Sequence, residues 1–345
     1  MNRQSKANLL IFSITAAVCA LSGGFCYSSH REMIEGTRQN QLSFLTTYIQ
    51  SDIQDLVGKA SARSSLVSNL PSIQEAFRSG DRDQLAQRLV PAFNVQRDKY
   101  GVREGQFHLP PATSFLRVFD LKAPQEDLSS FRDMVVATNR DQTPQKGVEI
   151  GRRGLSIRGI DLLKDDKGAI GSFEVGMSFT TLLTDIKSTT GFEAGVFVDD
   201  KLMSSVATEI LRPGSDRIIG GLQAVDATNW DIVHAVVTPE SLAKVDHTVS
   251  TTVMIDETEY GVVMLPLLDF KGKQIGVIVA TSNFGLYQAQ LKAALVEILF
   301  STLMEGVLLF GAMSILVNLM FIRPLQKIEA DLKQPSAANA ATGVL

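Results

Sequence analysis

The side chains best suited to holding a charged small molecule lie in one stretch of the chain: His108, Arg117, Arg132, Arg152, Arg153 and Arg158. A guanidinium presents a planar fork of donors that makes two parallel charge-assisted bonds to a carboxylate or phosphate, so this group points to an anionic ligand. Arg117 sits in the run Ser-Phe-Leu-Arg-Val-Phe and Arg158 in Leu-Ser-Ile-Arg-Gly-Ile. Both runs are strand-like, and a charge flanked by apolar residues in a strand faces either solvent or a pocket. The alternative for each arginine is a solvated sheet face or a structural ion pair with Asp127, Glu149 or Glu174. His108 precedes Leu109-Pro110-Pro111, a rigid segment that would hold its ring in place, and it also reads as a satisfied interior histidine. The ligand-binding expectation rests on His108, Arg117, Arg153 and Arg158. Phe107, Phe115 and Trp230 read as packing residues.

Other chemistries find no residues to carry them. Two cysteines and four histidines without CxxCH or HExxH spacing predict neither a zinc site nor covalent haem, and no cofactor is expected. Gly-x-Ser-x-Gly, P-loop and dinucleotide-binding signatures are absent, so the sequence does not read as an enzyme. The paired acids Asp165-Asp166 and Asp199-Asp200 read as solvated turns. With 33 Lys+Arg against 37 Asp+Glu, a net charge of −4 and no basic stripe, nucleic acid is not an expected partner.

The elements that must position these residues lie between two apolar stretches. Residues 7–29 contain no charged side chain, and residues 298–322 contain only Glu305. At about 1.5 Å per residue each is long enough for the roughly 30 Å hydrocarbon core of a bilayer. Arg3 and Lys6 before the first stretch, and Arg323, Lys327 and Lys333 after the second, put both tails in the cytoplasm and the region between them outside it. The expected topology is therefore double-pass, with the intervening domain extracytoplasmic. A cleavable signal peptide ending at Val18-Cys19-Ala20 is the competing reading of the N-terminus. Cys19 and Cys26, seven apart on one helical face, read as packing residues or as a cross-link between two copies. Glu305 reads as a partner-bonded acid at a helix seam or as an interfacial one.

In the exported region Leu42, Leu45, Ile49, Ile53, Leu56 and Ala60 recur at steps of three and four, which predicts one apolar stripe on a long helix. The pattern continues to Phe77 with a break at Pro71. Strand-like runs at 154–163 and 169–179 flank a charged, glycine-containing turn and predict a hairpin, followed by a helix over about 181–189. The succession returns 105 residues on, at 260–268 and 274–282, with Ile170-Gly171 over Ile275-Gly276 and Leu162 over Leu267. Two similar antiparallel-sheet units in tandem are expected. Residues 193–203 read as the opening strand pair of the second unit, and a further strand-like run starts at Trp230 and reaches Val237.

This layout resembles the tandem Cache sensor of bacterial chemoreceptors, sensor kinases and cyclases. The residues that carry the likeness are Gln106-Phe-His-Leu-Pro-Pro-Ala-Thr-Ser-Phe-Leu-Arg117, Asp127-Leu-Ser-Ser-Phe-Arg132 and Gly147-Val-Glu-Ile-Gly-Arg-Arg-Gly-Leu-Ser-Ile-Arg-Gly159. They are similar to the double Cache subfamily common in methyl-accepting chemotaxis proteins. The resemblance implies an α+β fold: a long N-terminal helix and two tandem PAS-like Cache sheets between two transmembrane helices. Its divisions are a cytoplasmic tail 1–7, a transmembrane helix 8–29, a double sensor domain 30–293, a second transmembrane helix 294–322, and a HAMP-like start with a low-complexity tail over 323–345. Within the sensor domain the long helix is expected over about 31–100, the distal unit over about 101–190 and the proximal unit over about 191–285. The resemblance implies a sensory receptor for chemotaxis or two-component signal transduction. Such a receptor would bind a small periplasmic ligand, an anionic organic acid on the strength of the arginines, pair as a homodimer and signal to a separate cytoplasmic or membrane protein. The chain ends without the output domain of such receptors, which suggests a sensor-only protein or a truncated receptor. The rival reading is a membrane-anchored scaffold or accessory protein that binds another membrane protein and no ligand.

Overall fold

The computed structural model describes residues 3–333; the low-complexity tail beyond them lies outside the described residues. The chain opens with α1 (Arg3–Ser68), a continuous helix of 66 residues. Pro71 starts α2 (Pro71–Arg78), and Asp81 caps α3 (Arg82–Tyr100) by accepting from the Gln84 amide at 2.9 Å. The left-handed backbone of Gly101, at φ 69°, ends α3 and turns the chain into the first sheet.

That sheet contains β1 (Val102–Leu109) and β2 (Thr113–Arg117), then, after α4 (Asp133–Asp141), β3 (Gln145–Gly151), β4 (Gly154–Asp165) and β5 (Gly168–Met177). Its strands are antiparallel in the order β2-β1-β5-β4-β3. The linking helix α5 (Phe179–Thr190) leads to β6 (Glu193–Asp199), α6 (Asp200–Val206), β7 (Ile218–Ile219), β8 (Leu222–Ala227), α7 (Trp230–Ala235), α8 (Pro239–Ala243), β9 (Val249–Ile255), β10 (Thr258–Leu268) and β11 (Gln274–Asn283). The second sheet runs β7-β8-β6-β11-β10-β9. Apart from the short edge strand β7, it repeats the first sheet strand for strand. The fold is thus α+β with a duplicated antiparallel sheet, as the hairpin repeat predicts.

Four local expectations are corrected. Residues 193–203 form one strand and one helix rather than two strands, because the Asp199 carboxylate accepts from the Leu202 amide at 2.8 Å and caps α6. The same contact means that Asp199 caps a helix and is not a hairpin tip. The run from Trp230 is helical, because Asn229 accepts from the Ile232 amide at 3.3 Å and starts α7. In the hairpins, Gly171 pairs with Leu163 and Gly276 with Leu267, so Leu163, not Leu162, corresponds to Leu267. A bulge follows both leucines and hides the one-residue offset from a gap-free alignment.

The chain divides into two compact units. In the first, built from the residues up to Thr37 and from Leu286 onward, α1 packs on α9 (Gly285–Val317). Phe12 meets Phe310 edge-on with centroids 6.1 Å apart, and buried Cys19 fits against Gly306, where small residues let the two backbones approach. Both helices are long and apolar enough to cross a membrane. Cys26 and Glu305 are exposed on them. A π-helical stretch, Asn318–Ile322, joins α9 to α10 (Arg323–Lys333).

In the second unit, Arg38–Gly285, the predicted stripe on α1 is buried: Leu42, Leu45, Ile49, Leu56 and Ala60 are at most 2% exposed. The helix lies so close to the first sheet that a Cβ on Gly159 of β4 would stand 2.3 Å from the Ser61 nitrogen, and only glycine fits there. The second sheet buries Phe197, Val262, Met264, Val277 and Val279 against Val233 of α7 and Leu242 of α8.

One polar group on the buried side of α1 works against this packing. Burial, together with the Asp185 carboxylate, raises Asp52 to about 6. A folded value above the unfolded 3.8 means that its favourable contribution is complete below pH 3.8 and is lost as pH rises through 6. Asp52→Asn should therefore raise the stability of the chain at pH 7 by about 1 kcal/mol after allowance for solvent screening, with no gain at pH 4. Thermal melts of the two proteins at both pH values check this; an equal gain at both would show that the charge is not involved.

Candidate functional site

Strand alternation assembles the site. In β1 the sequence Glu104-Gly-Gln-Phe-His108 puts Glu104, Gln106 and His108 on one face and Phe107 on the other. The register aligns Gln106 with Arg117 of β2 and with Glu174 of β5, and His108 with Ser172. Across the sheet Arg158 of β4 lies opposite Gly176, and Glu149 of β3 opposite Ser156. One face of the first sheet therefore carries the charged and polar groups, with Ile160 and Leu162 beside them. Its opposite face is apolar, with Phe77 of α2 stacked on Phe107 at 5.7 Å and Phe107 against Phe173 at 4.6 Å.

The polar face is not open to water. Residues 118–132 and α4 form a roof, anchored where the Leu128 amide donates to the Ala112 carbonyl at 2.8 Å and the Ser114 amide to the Glu126 carbonyl at 2.8 Å. Ala112, Leu128, Met134, Val135 and Ile160 make an apolar seam beneath it. Glu104, Gln106, His108, Arg132, Glu149, Arg158 and Glu174 are all buried.

The carboxylates and guanidiniums pair with one another. Arg158 Nη1 donates to Glu104 at 2.6 Å and to Glu174, and Arg132 donates through Nε to Glu149 at 2.8 Å and through Nη2 to Glu174. Glu149 also accepts from the Met134 amide at 2.7 Å, which ties the start of α4 to the network. Burial alone would push the carboxyls of Glu104 and Glu174 up. The guanidinium charges of Arg158 and Arg132 outweigh it and hold both below the ordinary glutamate range. Burial would likewise lower Arg132, and the opposing Glu174 and Glu149 charges raise it instead. For His108 burial is the largest influence; the Glu174 charge opposes it, the Arg132, Arg158 and Arg117 charges add to it, and the ring is lowered to about 3, so it is neutral at physiological pH. Its Nδ1 lies 3.3 Å from the Ser172 hydroxyl, while Nε2 stands 3.8 Å from Glu174 and makes no hydrogen bond. Nε and Nη2 of Arg158 have no partner either, and Nη2 points at Gly151, where a Cβ would come within 2.6 Å.

The four expected site residues fall on or beside this face, at different depths. His108 and Arg158 are at its floor. Arg117 reaches its rim, paired with Glu126 at 2.5 Å and Glu209 at 3.2 Å. Arg153 lies at the edge, with its guanidinium 4.7 Å above the Phe119 ring and Nη1 donating to the Arg103 carbonyl at 3.4 Å. Arg152 is held by Glu126 at 2.9 Å and lies 3.8 Å over Phe131. Arg117 and Arg153 share with Glu104, Gln106 and Arg132 a cavity of about 20 Å³. Of the acids named from sequence, Glu149 and Glu174 do take the ion pairs. Asp127 instead accepts from the Ser129 amide at 2.9 Å in the roof turn. Sequence reasoning missed Glu104 and Gln106, although their alternation with Gly105 and Phe107 marks them. Trp230 packs against Phe197 and beneath Arg217 at 4.2 Å, in the second sheet.

This architecture has known counterparts. The family model described as the double sensory domain of two-component sensor kinases, dCache_3, matches residues 38–283. The chain belongs to this double Cache family. Its members are sensory domains. No curated protein matches the chain. Among solved structures, the ligand-binding domain of the Campylobacter jejuni chemoreceptor Tlp3 in complex with L-valine aligns at 11% identity and a TM-score of 0.45, covering 75% of this chain and 96% of that one. A sensory box/GGDEF family domain from Vibrio parahaemolyticus aligns at 13% identity and a TM-score of 0.47, covering 72% and 96%.

Two consequences of the charged face's electrostatics can be measured. Arg158→Met removes the largest counter-charge of Glu104 and, after Arg132, the next largest of Glu174, and should cost about 3–5 kcal/mol in denaturant unfolding. Adding Glu174→Gln should recover part of that loss; a strictly additive double variant would show that the two groups are not coupled. The second concerns acid. Because folded His108 titrates below its unfolded 6.5, its favourable contribution is complete above pH 6.5 and is lost as pH falls toward 3. The lowered glutamates add losses once pH drops below their unfolded 4.5. The melting temperature should fall from pH 6.5 downward, and His108→Asn should delay the onset to about 4.5.

Proposed function

We propose that this chain is a double-pass membrane receptor. It binds a small organic acid on the charged face of the first sheet, acts as a homodimer and passes a conformational change across the membrane to a separate signalling protein. The observation that carries the reading is Arg158. Its guanidinium is fully buried, two glutamates crowd one nitrogen, and the other two nitrogens have no acceptor. A ligand carboxylate would take up the free donors, with Arg117 and Arg153 at the rim and the His108 Nε2 atom nearby to set its orientation.

A cavity of about 20 Å³ holds a water and nothing larger, so an organic acid enters only if residues 118–132 and α4 lift. That roof is linked to the second sheet. Lys271 in the β10–β11 turn pairs with Asp133 at the start of α4, and the Phe270 amide donates to the Val148 carbonyl of β3 at 3.0 Å. The chain then runs through β11 directly into α9. The ligand shifts this arrangement by the difference in its affinity for the closed and lifted roofs.

A thermal-shift screen of the full chain in detergent against organic acids, amino acids and purines tests the reading. Ligand at a hundred times its Kd stabilises by about 2.7 kcal/mol, a readily measured shift. Organic acids should raise the melting temperature, and Arg117→Ala should abolish the effect. If no class raises it, the reading fails and a membrane-anchored scaffold that binds no ligand takes its place.

A further inference from the structure

The apolar side of the first sheet holds a second cavity, unrelated to the charged face. Between α1, α3 and strands β1 and β5 lies a cleft of about 160 Å³ walled by Val67, Leu89, Phe93, Val102, Phe173 and Val175. Protein interiors are packed to crystal density and hold few voids larger than a water. The cleft is open to solvent at Leu66 and Ala92, and its volume has room for a single ring or a compact chain of about five or six carbons.

Its rim carries one cation. Arg63 of α1 donates from Nε to the Gln96 side-chain oxygen at 2.8 Å, which fixes the plane of the guanidinium at the cleft edge. Nη1 has only the Met177 sulfur at 3.8 Å, the guanidinium carbon lies 5.9 Å from the centre of the Tyr100 ring, and no carboxylate pairs with Arg63 among the described residues. The other arginines of the first sheet, Arg103, Arg117, Arg132, Arg152 and Arg158, have acidic partners, and Arg153 lies over Phe119. An oriented fork with one free edge beside a ring-sized apolar cleft is complementary to a carboxylate on a compact hydrocarbon body.

We propose that this cleft is a second binding site, for small monocarboxylates with an aromatic or branched apolar body, held by Arg63 at the head and by the Leu89–Phe93–Phe173 wall at the tail. The site is independent of the receptor reading above. It lies on the opposite face of β1 and β5 and uses none of the charged side chains, sharing with the roof only its first residue, Val118.

Sodium benzoate is the probe, titrated against the full chain in nanodiscs of zwitterionic lipid with empty nanodiscs as blank. Saturable binding is expected. Arg63→Met should weaken benzoate by at least about tenfold while leaving benzene uptake unchanged, since only the head-group bonds are lost. Ala92 lines the cleft but is exposed, so Ala92→Trp adds its ring at the mouth without entering the core, and it should abolish binding of both. The proposal is overturned by absence of saturable benzoate binding, by Ala92→Trp leaving it intact, or by Arg63→Met leaving it unweakened. It is equally overturned if Arg117→Ala removes benzoate binding, which would put the acid on the charged face. A change in oligomeric state on Ala92→Trp without any benzoate binding would assign the cleft to a second copy of the chain instead.

Discussion

Glu174 lies fully buried between the guanidinium groups of Arg132 and Arg158, and the arrangement of the first sheet depends on keeping that carboxylate ionised. Arg158 comes from the neighbouring strand β4 and Arg132 from the roof, so the same contact joins floor to lid. Glu149 then receives Arg132 and the Met134 amide together, which sets where α4 begins. Three buried carboxylates face the buried guanidiniums of Arg132 and Arg158, with Arg103 reaching Glu104 from the half-buried edge, an arrangement that costs several kcal/mol of desolvation per buried ion before any attraction is counted. Apolar side chains of similar volume would be at least as stable there. The second sheet shows as much: its corresponding face is filled with Phe197, Val262, Met264, Val277 and Val279. One duplicate is built for packing. The other carries charge that packing alone does not require.

The duplication itself was legible in the chain. Each hairpin has alternating apolar strands around a charged turn containing glycine, and this local chemistry survives without knowledge of the rest of the fold. The stripe from Leu42 to Ala60 was legible for the same reason. The misread segments are short helices rich in β-branched and apolar residues. Residues 230–237 contain Trp, Ile and three Val, a composition that favours a strand. The Asn229 cap decides otherwise, since one side-chain acceptor satisfies a backbone donor at the helix start and the apolar side then packs under the second sheet. A cap worth about 1 kcal/mol is enough to choose between two local structures of similar propensity.

The charged face was half legible. Arginine in a strand-like run marks itself, and so Arg117 and Arg158 stood out. Acid partners do not mark themselves, because pairing depends on register between strands far apart in the chain. Arg158 and Glu104 are 54 residues apart, and Arg117 and Glu209 are 92 apart. The alternation in β1 was visible as a pattern of polar residues at every second position. A half-exposed strand shows the same pattern. What separates the two cases is the roof, and residues 118–132 carry no periodicity that would announce it.

The roof also explains how the two sheets are joined. β3 is an edge strand, and an uncovered edge presents unpaired backbone groups. Here the β10–β11 turn of the second sheet covers it, with Phe270 bonding Val148 and packing into the seam under α4. Glu149, one residue along from Val148, faces the charged network on one side and lines a cleft of about 330 Å³ beside Phe270 and Lys271 on the other. Alternation makes this possible: adjacent residues on β3 present a backbone carbonyl to the second sheet and a carboxylate to the first sheet's arginines. Withdrawing Arg132 from Glu149 would free the carboxylate that holds α4, and α4 carries Asp133, the partner of Lys271. The charge balance of the first sheet and the seating of the second sheet's hairpin are therefore not separable, because they share one edge strand and one helix start.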